Sequence, residues 1–493
     1  MNITQFIQYL NKSKNWHIEG GYYAKIDEWR AWWRGDYAEF HDVREVGLDG
    51  AMHKRPMYRL RMPKQACEDW AALLLGDATT VTVGDPAAAR WLLGDDQQQT
   101  GGALGAMQFW AQANRAVELA MRSGTAAFVL GCEGLNTENG NAITSPAATL
   151  TLDVLPAECI LPITIRHGKV IDVAFASECV VGGKSCIYLQ THCLGQNGYT
   201  ITNEYFTSEA EDTERADYKP APLPAGVAAR FCTGSELPWF ALMRPNVLKN
   251  RLGGSGLGMA VFAEALDAAK LCDLAFDNYA RDIHLGGKKV FYNKNLLRSW
   301  VDSKTGEQHF AAPDDIRQQL FFHAPGTDPD AEPDWHEYNP DLRVADNSRA
   351  VQDALDYFSF KVGLGTRHYQ FSGGSVKTAT EYTGDRQDMV QHANRHQIEI
   401  EAALLQFLRT VLWAGHTLLG QNFDAACPLT LNFDDSYIID TGTRREIDRQ
   451  DVRDGLWPRY RYLMEWRGLS EADARAIVAE ADAEGSADAL PLA

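Results

Sequence analysis

Two histidines, His392 and His396, stand four residues apart within a helical pattern, the spacing at which two imidazoles reach one metal ion. The zincin pattern places a glutamate directly after the first histidine, and Ala393 stands there instead. The pair therefore reads as two histidines on the polar face of a helix. Gly374-Ser375-Val376-Lys377-Thr378 carries the Lys-Thr end of a phosphate-wrapping loop, but Val376 occupies the place of the glycine that lets backbone amides close on phosphate. Asp434-Asp435 follows a strand, as ligands of a two-metal nuclease do, yet no second acidic motif completes the set. A strand-end turn capped by aspartates accounts for it equally. Gly254-Ser255-Gly256 is too short for a nucleophile elbow. Every catalytic constellation is incomplete, so the chain reads as a non-enzyme with no catalytic residue, metal or cofactor.

Bulk properties narrow the class further. The chain has 493 residues, 45% of them hydrophobic and 23% charged, a globular composition long enough for several domains. No run of apolar residues is long enough to span a bilayer, and the first residues lack the basic-then-apolar layout of a signal peptide. The nine cysteines are scattered and form no Cys-x-x-Cys, so they read as reduced thiols in a cytosolic protein. The net charge of −19 opposes tight, sequence-independent binding to nucleic acid, which depends on phosphate neutralisation by Lys and Arg. An ordinary soluble acidic surface explains that charge, and so does a surface past which DNA must slide without sticking.

The elements that carry these residues are legible from periodicity. The first hundred residues read as helical and aromatic, with Tyr22, Tyr23, Trp29, Trp32, Trp33, Tyr37 and Phe40 in one segment suited to core or interface anchoring. A helix over 107–122 leads to a buried strand at 125–130. Residues 148–206 alternate polar with apolar between Gly-Gly and Asn-Gly turns, a strand meander, and 208–224 reads as an exposed acidic loop. A helix expected over Met259 to about Leu285 carries Glu264, Asp267, Asp273 and Asp277 as an acidic stripe. Such a stripe is ordinarily a solvated face, and in a ring of copies it would line a water-filled bore. After a compact module at 286–340 and a helix near 344–362 comes a glycine-aromatic loop, Gly363 to Gly374, with Arg367, His368, Tyr369, Gln370 and Phe371 inside it. Thr378 and Glu381 form a capping box for a very long helix. Its apolar face runs through Met389, Ala393, Ile400, Leu404, Phe407 and Val411, interrupted by Gln397. Gly384 near its start predicts a later beginning or a bend, at a cost of about 1 kcal/mol against alanine. Strands are expected at Leu429–Phe433 and Tyr437–Asp440, and a second capped helix start at Ser470-Glu471-Ala472-Asp473.

The order of long helix, inserted module, second helix, glycine-aromatic loop and very long helix resembles the portal proteins of tailed bacteriophages, in the branch with long, non-contractile tails. The resemblance rests on GMAVFAEALDAAKLCDLAFDNYARDIHLGGKKVFY (258–292), on Val362-Gly363-Leu364-Gly365, and on Phe371-Ser372-Gly373-Gly374 leading into Val376-Lys377-Thr378-Ala379-Thr380-Glu381. Trp32-Trp33-Arg34-Gly35 and Ala66-Cys67-Glu68-Asp69-Trp70-Ala71 add to it.

The resemblance implies an α+β portal fold. It assigns 1–257 to an N-terminal wing with a β meander, 258–285 and 341–365 to stem helices, and 286–340 to a clip. Residues 366–378 become a tunnel loop, 379–444 the long wing helix and strands, and 445–493 a helical crown. It implies a homo-oligomeric ring, a dodecamer in the usual case, at one vertex of the virion capsid, assembled in the host cytoplasm. Double-stranded DNA passes through such a ring during packaging by the terminase large subunit and again at ejection. Head–tail connector, major capsid and scaffolding proteins are the implied partners, with no membrane. A ring of that size would carry roughly two hundred excess negative charges, so Glu264, Asp267, Asp273 and Asp277 are expected to include bore-facing residues that repel phosphate. Arg367, His368 and Lys377 would offer the few phosphate contacts, beside Tyr369, Gln370 and Phe371. The alternative from another class is a phage-encoded, metal-dependent nuclease or other head-associated enzyme using Asp434, Asp435 and the histidine pair.

Overall fold

A computed structural model describes residues 3–46, 51–76, 79–95, 101–181, 183–208, 218–224, 226–248, 255–293, 298–306, 308–311, 321–324, 335–370, 379–433 and 441–487. The chain is mixed α+β, with helices and sheets interleaved along it.

Its organising element is the helix Ala379–Thr417, 39 residues long. Met389, Ala393, Ile400, Leu404, Phe407 and Val411 are all buried, so the steps of three and four do place one face inward. The helix begins at Ala379 and runs unbroken through Gly384, because the packing farther along outweighs one unfavourable residue. Phe407 is the keystone of the face. Its ring lies parallel to Phe109 at 5.9 Å and tilted against Phe128 at 5.3 Å, tying three elements together.

Phe109 belongs to the amphipathic helix Phe109–Ser123, and Phe128 to the strand Ala126–Glu133. The turn between them closes on Gly124, whose φ is +82°. A side chain there would meet the Gly258 carbonyl oxygen at 2.3 Å, so two backbones approach closely at this point. Ala126–Glu133 is buried from end to end of its first five residues and pairs with Phe240–Met243 on one side and Thr149–Pro156 on the other.

The meander expected over 148–206 is divided: Thr149–Pro156 joins the sheet of Ala126–Glu133, while Ile160–Arg166, Lys169–Val181, Lys184–Gly195 and Gly198–Ser208 follow one another as antiparallel neighbours in a separate sheet. Tyr218–Ala221 adds to the edge of Gly198–Ser208, so part of the expected acidic loop is strand. Leu429–Asn432 finds its partner far back in sequence, at Thr80–Val83. The expected strand at 437–440 lies outside the described residues. The N-terminal aromatics are core, with Tyr22, Tyr23, Trp29 and Trp32 buried. One apolar cluster runs from Ile3 to Leu431, so the N-terminal region and the long helix share a single core. Residues 441–487 form three helices with little buried surface, and Ser470 caps the last by accepting from the Asp473 amide while its hydroxyl donates to the Asp473 carboxylate.

Candidate functional site

The residues singled out in sequence converge on a pair of helices and the loop that leaves it. Leu266–Leu285 and Val344–Lys361 lie side by side. Asp282 receives Arg343 and Asn347 at one end, while the Cys272 thiol donates to the Ala354 carbonyl farther along, so the two helices run antiparallel. The Arg343 guanidinium beside Asp282 holds that carboxyl below the usual carboxylate range.

The first helix starts at Leu266, not at Met259. Residues 261–264 form turns, and Met259 to Ala263 pack into the core. The acidic stripe is consequently divided. Glu264 and Asp267 are exposed, Glu264 in the turn and Asp267 in the first helical turn. Asp273 and Asp277 are each 2% exposed and do not belong to any solvated stripe. Both face the N-terminal segment. Asp273 accepts from the Leu60 amide at 2.8 Å and meets His41 Nε2 at 3.0 Å. Asp277 accepts from both terminal nitrogens of Arg55 and from the Tyr58 amide. Burial opposes ionisation of Asp277, but Arg55 and the Tyr58 amide outweigh it, and its carboxyl lies below the usual range. Arg281 extends the row one turn on, reaching Glu45, which also holds Arg55. Spacing of three and four identified the face correctly as polar. What it could not show is that the chain from His41 to Leu60, which includes the antiparallel strands Asp42–Val46 and Met52–Pro56, meets that face through His41, Glu45, Arg55, Tyr58 and Leu60.

The second helix ends in a Schellman-type turn. The Leu364 amide bonds the Ser359 carbonyl, and Gly363 takes φ +84°. A Cβ on Gly363 would stand 3.0 Å from the His392 ring, a tight contact that adds to the conformational demand for glycine. Ser359 donates its hydroxyl to the Gly365 carbonyl, and Trp70 donates its indole N–H to Val362 at 3.1 Å.

Beyond this turn, Arg367 and Gln370 are exposed. Tyr369 is half-buried and turned inward. Its hydroxyl donates to Asp69 at 2.7 Å, its carbonyl accepts from Gln352, and His368 lies 3.5 Å from the same Asp69 carboxylate. Tyr369 is thus an anchor of the loop, which corrects the expectation that it projects with Gln370. Burial raises the Asp69 carboxyl, yet hydrogen bonds from His368, Tyr369 and Gln65 together bring it below its ordinary value. Burial, then the neighbouring Asp69, pushes the Tyr369 phenol well up. Phe371 and Lys377 lie outside the described residues, as do Thr378, Asp434 and Asp435.

The two histidines differ in burial. His396 is 4% exposed and not on a polar face. Its Nδ1 accepts from the Asn246 amide at 3.0 Å, and its ring meets Trp70 edge to face at 4.9 Å. Burial lowers its pKa to about 4, with His392 and Arg395 adding to the effect. His392 and His396 both border a cleft of about 190 Å³, together with Glu264, Lys361, Gly363 and Arg395. No group of three or more His, Cys, Asp or Glu side chains among the described residues is arranged to hold a metal ion.

Sequence reasoning missed Asp69, Gln352, Arg55 and His41, which fix the loop and the first helix. Asp69, Arg55 and His41 act across more than two hundred positions and Gln352 across 17, beyond any helical or strand repeat that would signal them. No protein-family model matches the chain, and no curated protein matches it in sequence.

Proposed function

We propose that this chain is the subunit of a portal-type ring, a channel at one capsid vertex through which double-stranded DNA is packaged by terminase and later ejected, and to which head–tail connector proteins attach. One observation carries the reading. The antiparallel helix pair exposes Leu271, Leu274 and Leu285 along one helix and Tyr357 and Phe360 along the other, with no segment among the described residues covering them. On Leu266–Leu285, Leu271 and Leu274 lie three residues apart on one side of the helix, and Leu285 stands at its end. Exposed apolar side chains on a helix pair of this kind favour a protein contact, and a closed ring supplies it from identical copies.

The same helix pair leads through the Gly363 turn into the loop, so residues exposed beside Tyr369 would sit on one rim of the ring. Arg367 and Gln370 are the described candidates for weak contact with DNA, and Glu264 for the repelling wall, while Asp267, four and seven residues before Leu271 and Leu274, shares their face. The buried Asp273 and Asp277 take the different task of fastening the hairpin to the helix.

Electron microscopy of the purified protein, with size-exclusion chromatography beside it, tests the reading. Rings enclosing a central bore are expected, with no cleavage of DNA in magnesium or manganese. A single-chain species that nicks DNA in either metal would sink the proposal in favour of a head-associated nuclease. A single-chain species without cleavage would leave a scaffolding protein.

A further inference from the structure

We propose that Cys179 and Cys186 form a redox-active dithiol that closes to an intrachain disulfide across the hairpin Lys169–Val181/Lys184–Gly195. The two cysteines are direct register partners in this antiparallel pair, so their side chains rise from the same face of the sheet. Opposed residues in such a ladder have Cα separations of about 4.5 or 5.5 Å, and both values fall inside the range of about 4.4–6.8 Å that disulfides span. The sulfur of Cys179 already leans across the gap, its thiol directed at the Cys186 carbonyl oxygen at 3.5 Å.

The other cysteines of the sheet are placed differently. Cys193 and Cys232 each stand opposite Thr200, on its two sides, so neither has a thiol across the ladder. Cys67, Cys272 and Cys427 are buried in the core away from this hairpin. The 179–186 rung lies at the turn end of the hairpin, where Val180 is 73% exposed. A covalent rung there locks the register of the ladder beside its turn.

A disulfide oxidant such as oxidised glutathione completes the chemistry. The Cys179 thiolate attacks one glutathione sulfur, the glutathione disulfide breaks, and one glutathione thiolate leaves. The Cys186 thiolate then attacks the Cys179 sulfur of the mixed disulfide and releases the second glutathione. The two thiol protons pass to solvent, so the protein loses two electrons and the oxidant gains them. Burial, then the neighbouring Cys186, raises the Cys179 thiol, so closure runs faster in mildly alkaline buffer than at neutrality.

The test uses the full chain incubated with oxidised glutathione at mildly alkaline pH, then denatured, alkylated and digested with trypsin without reduction. Trypsin cuts after Lys184, between the two cysteines. The expected product is a single linked species joining the two flanking peptides, separated by dithiothreitol, in which Cys193, on the same peptide as Cys186, is alkylated and fragmentation places the link between Cys179 and Cys186. In Cys179→Ser, Cys186 is expected to appear alkylated, and in Cys186→Ser, Cys179 is expected to carry glutathione. Recovery of both cysteines alkylated in the wild-type chain, while the exposed Cys193 takes up glutathione, would overturn the proposal. A linkage of either cysteine to a second chain or to another cysteine would overturn it equally. Because the wild-type protein supplies the decisive readout, a variant that fails to fold leaves the outcome intact.

Discussion

Asp277 receives both terminal nitrogens of Arg55, Nη1 on Oδ1 and Nη2 on Oδ2, each at 2.8 Å and across 222 residues of sequence. This fork holds the N-terminal hairpin against the helix Leu266–Leu285, and the Asp277 side chain is almost fully covered by it. Removing one partner leaves the other charge short of its hydrogen bonds in a covered site. Asp277→Ala is therefore expected to lose about 3–5 kcal/mol of stability at neutral pH, read from urea unfolding midpoints. Arg55→Met combined with Asp277→Leu should cost clearly less than the two single changes added together. Simple additivity would show that the pair contributes no coupling.

The same carboxylate predicts acid behaviour. Its folded pKa is lowered, so the unfolded chain takes up the proton first as pH falls. The stability it contributes is fully present above about pH 4, where the unfolded aspartate titrates, and is lost as pH drops through the lower folded value. Asp277→Asn should flatten the urea midpoint against pH in that window and leave it parallel to wild type above it. An unchanged acid slope would mean the fork does not persist in solution.

His192 gives a second, separable pH effect. It is fully buried between Phe175 and Phe240, both ring centroids at 5.5 Å, and neither of its nitrogens has a hydrogen-bond partner among the described residues. Burial lowers its pKa to about 3. The unfolded imidazole binds a proton near about pH 6.5, so stability falls as pH is lowered from there towards 3 and levels off below. His192→Phe removes two unsatisfied polar atoms and should be neutral to mildly stabilising at pH 7, with a shallower loss between pH 6 and 3. A loss at pH 7 of the size of a core cavity mutation would show that the imidazole is bonded.

These groups show how far sequence alone reached. The long helix, the meander and the capped start at Ser470 were legible because hydrophobic periodicity and capping are local signals. The polar face of Leu266–Leu285 was legible as a face, but its occupants were not, since Asp273 and Asp277 meet residues more than two hundred positions away. Tyr369 was noticed for its aromatic neighbourhood and glycine flanks. Its inward turn depends on Asp69, which sits in an ordinary amphipathic helix with nothing in its spacing to mark it.

Tyr369→Phe tests that anchor. The hydroxyl donates to a carboxylate already short of water, and its loss should cost about 1.5–3 kcal/mol, the range for hydrogen bonds to charged groups. Amide exchange should quicken at residues 366–370 while the core strand Ala126–Glu133 keeps its protection. Unchanged exchange in the loop would show that Gln352 and His368 suffice to hold it.

Gly124→Ala probes the closest backbone approach in the core. The substituent would meet the Gly258 carbonyl oxygen at 2.3 Å and would also sit at φ +82°, a conformation that costs an L-residue about 1–3 kcal/mol before any clash. Loss of soluble folded protein, or a midpoint lowered well beyond that amount, is expected. Gly140→Ala has a similar φ of +76° but open space around it, so it isolates the conformational part and should be far milder.

The exposed stripe supplies the functional test. Leu274 is 43% exposed on a helix whose neighbours on other faces are buried, so a polar residue there disturbs no internal packing. Leu274→Asp should leave the far-ultraviolet circular dichroism and the urea midpoint of the isolated chain within about 0.5 kcal/mol of wild type, the ordinary range for surface changes. In an assembled ring the same carboxylate would be pressed into an apolar contact without a partner, at a cost repeated at every interface. Size-exclusion chromatography should then show single chains under conditions in which the proposed reading has the wild type assemble. Arg367→Ala with Gln370→Ala, on the loop, is expected to do the reverse, preserving rings while reducing DNA packaged in a terminase-driven assay. If Leu274→Asp assembles normally, the leucine stripe is not the contact between copies. If the loop variant loses its rings, the loop is an interface instead of a surface that meets DNA.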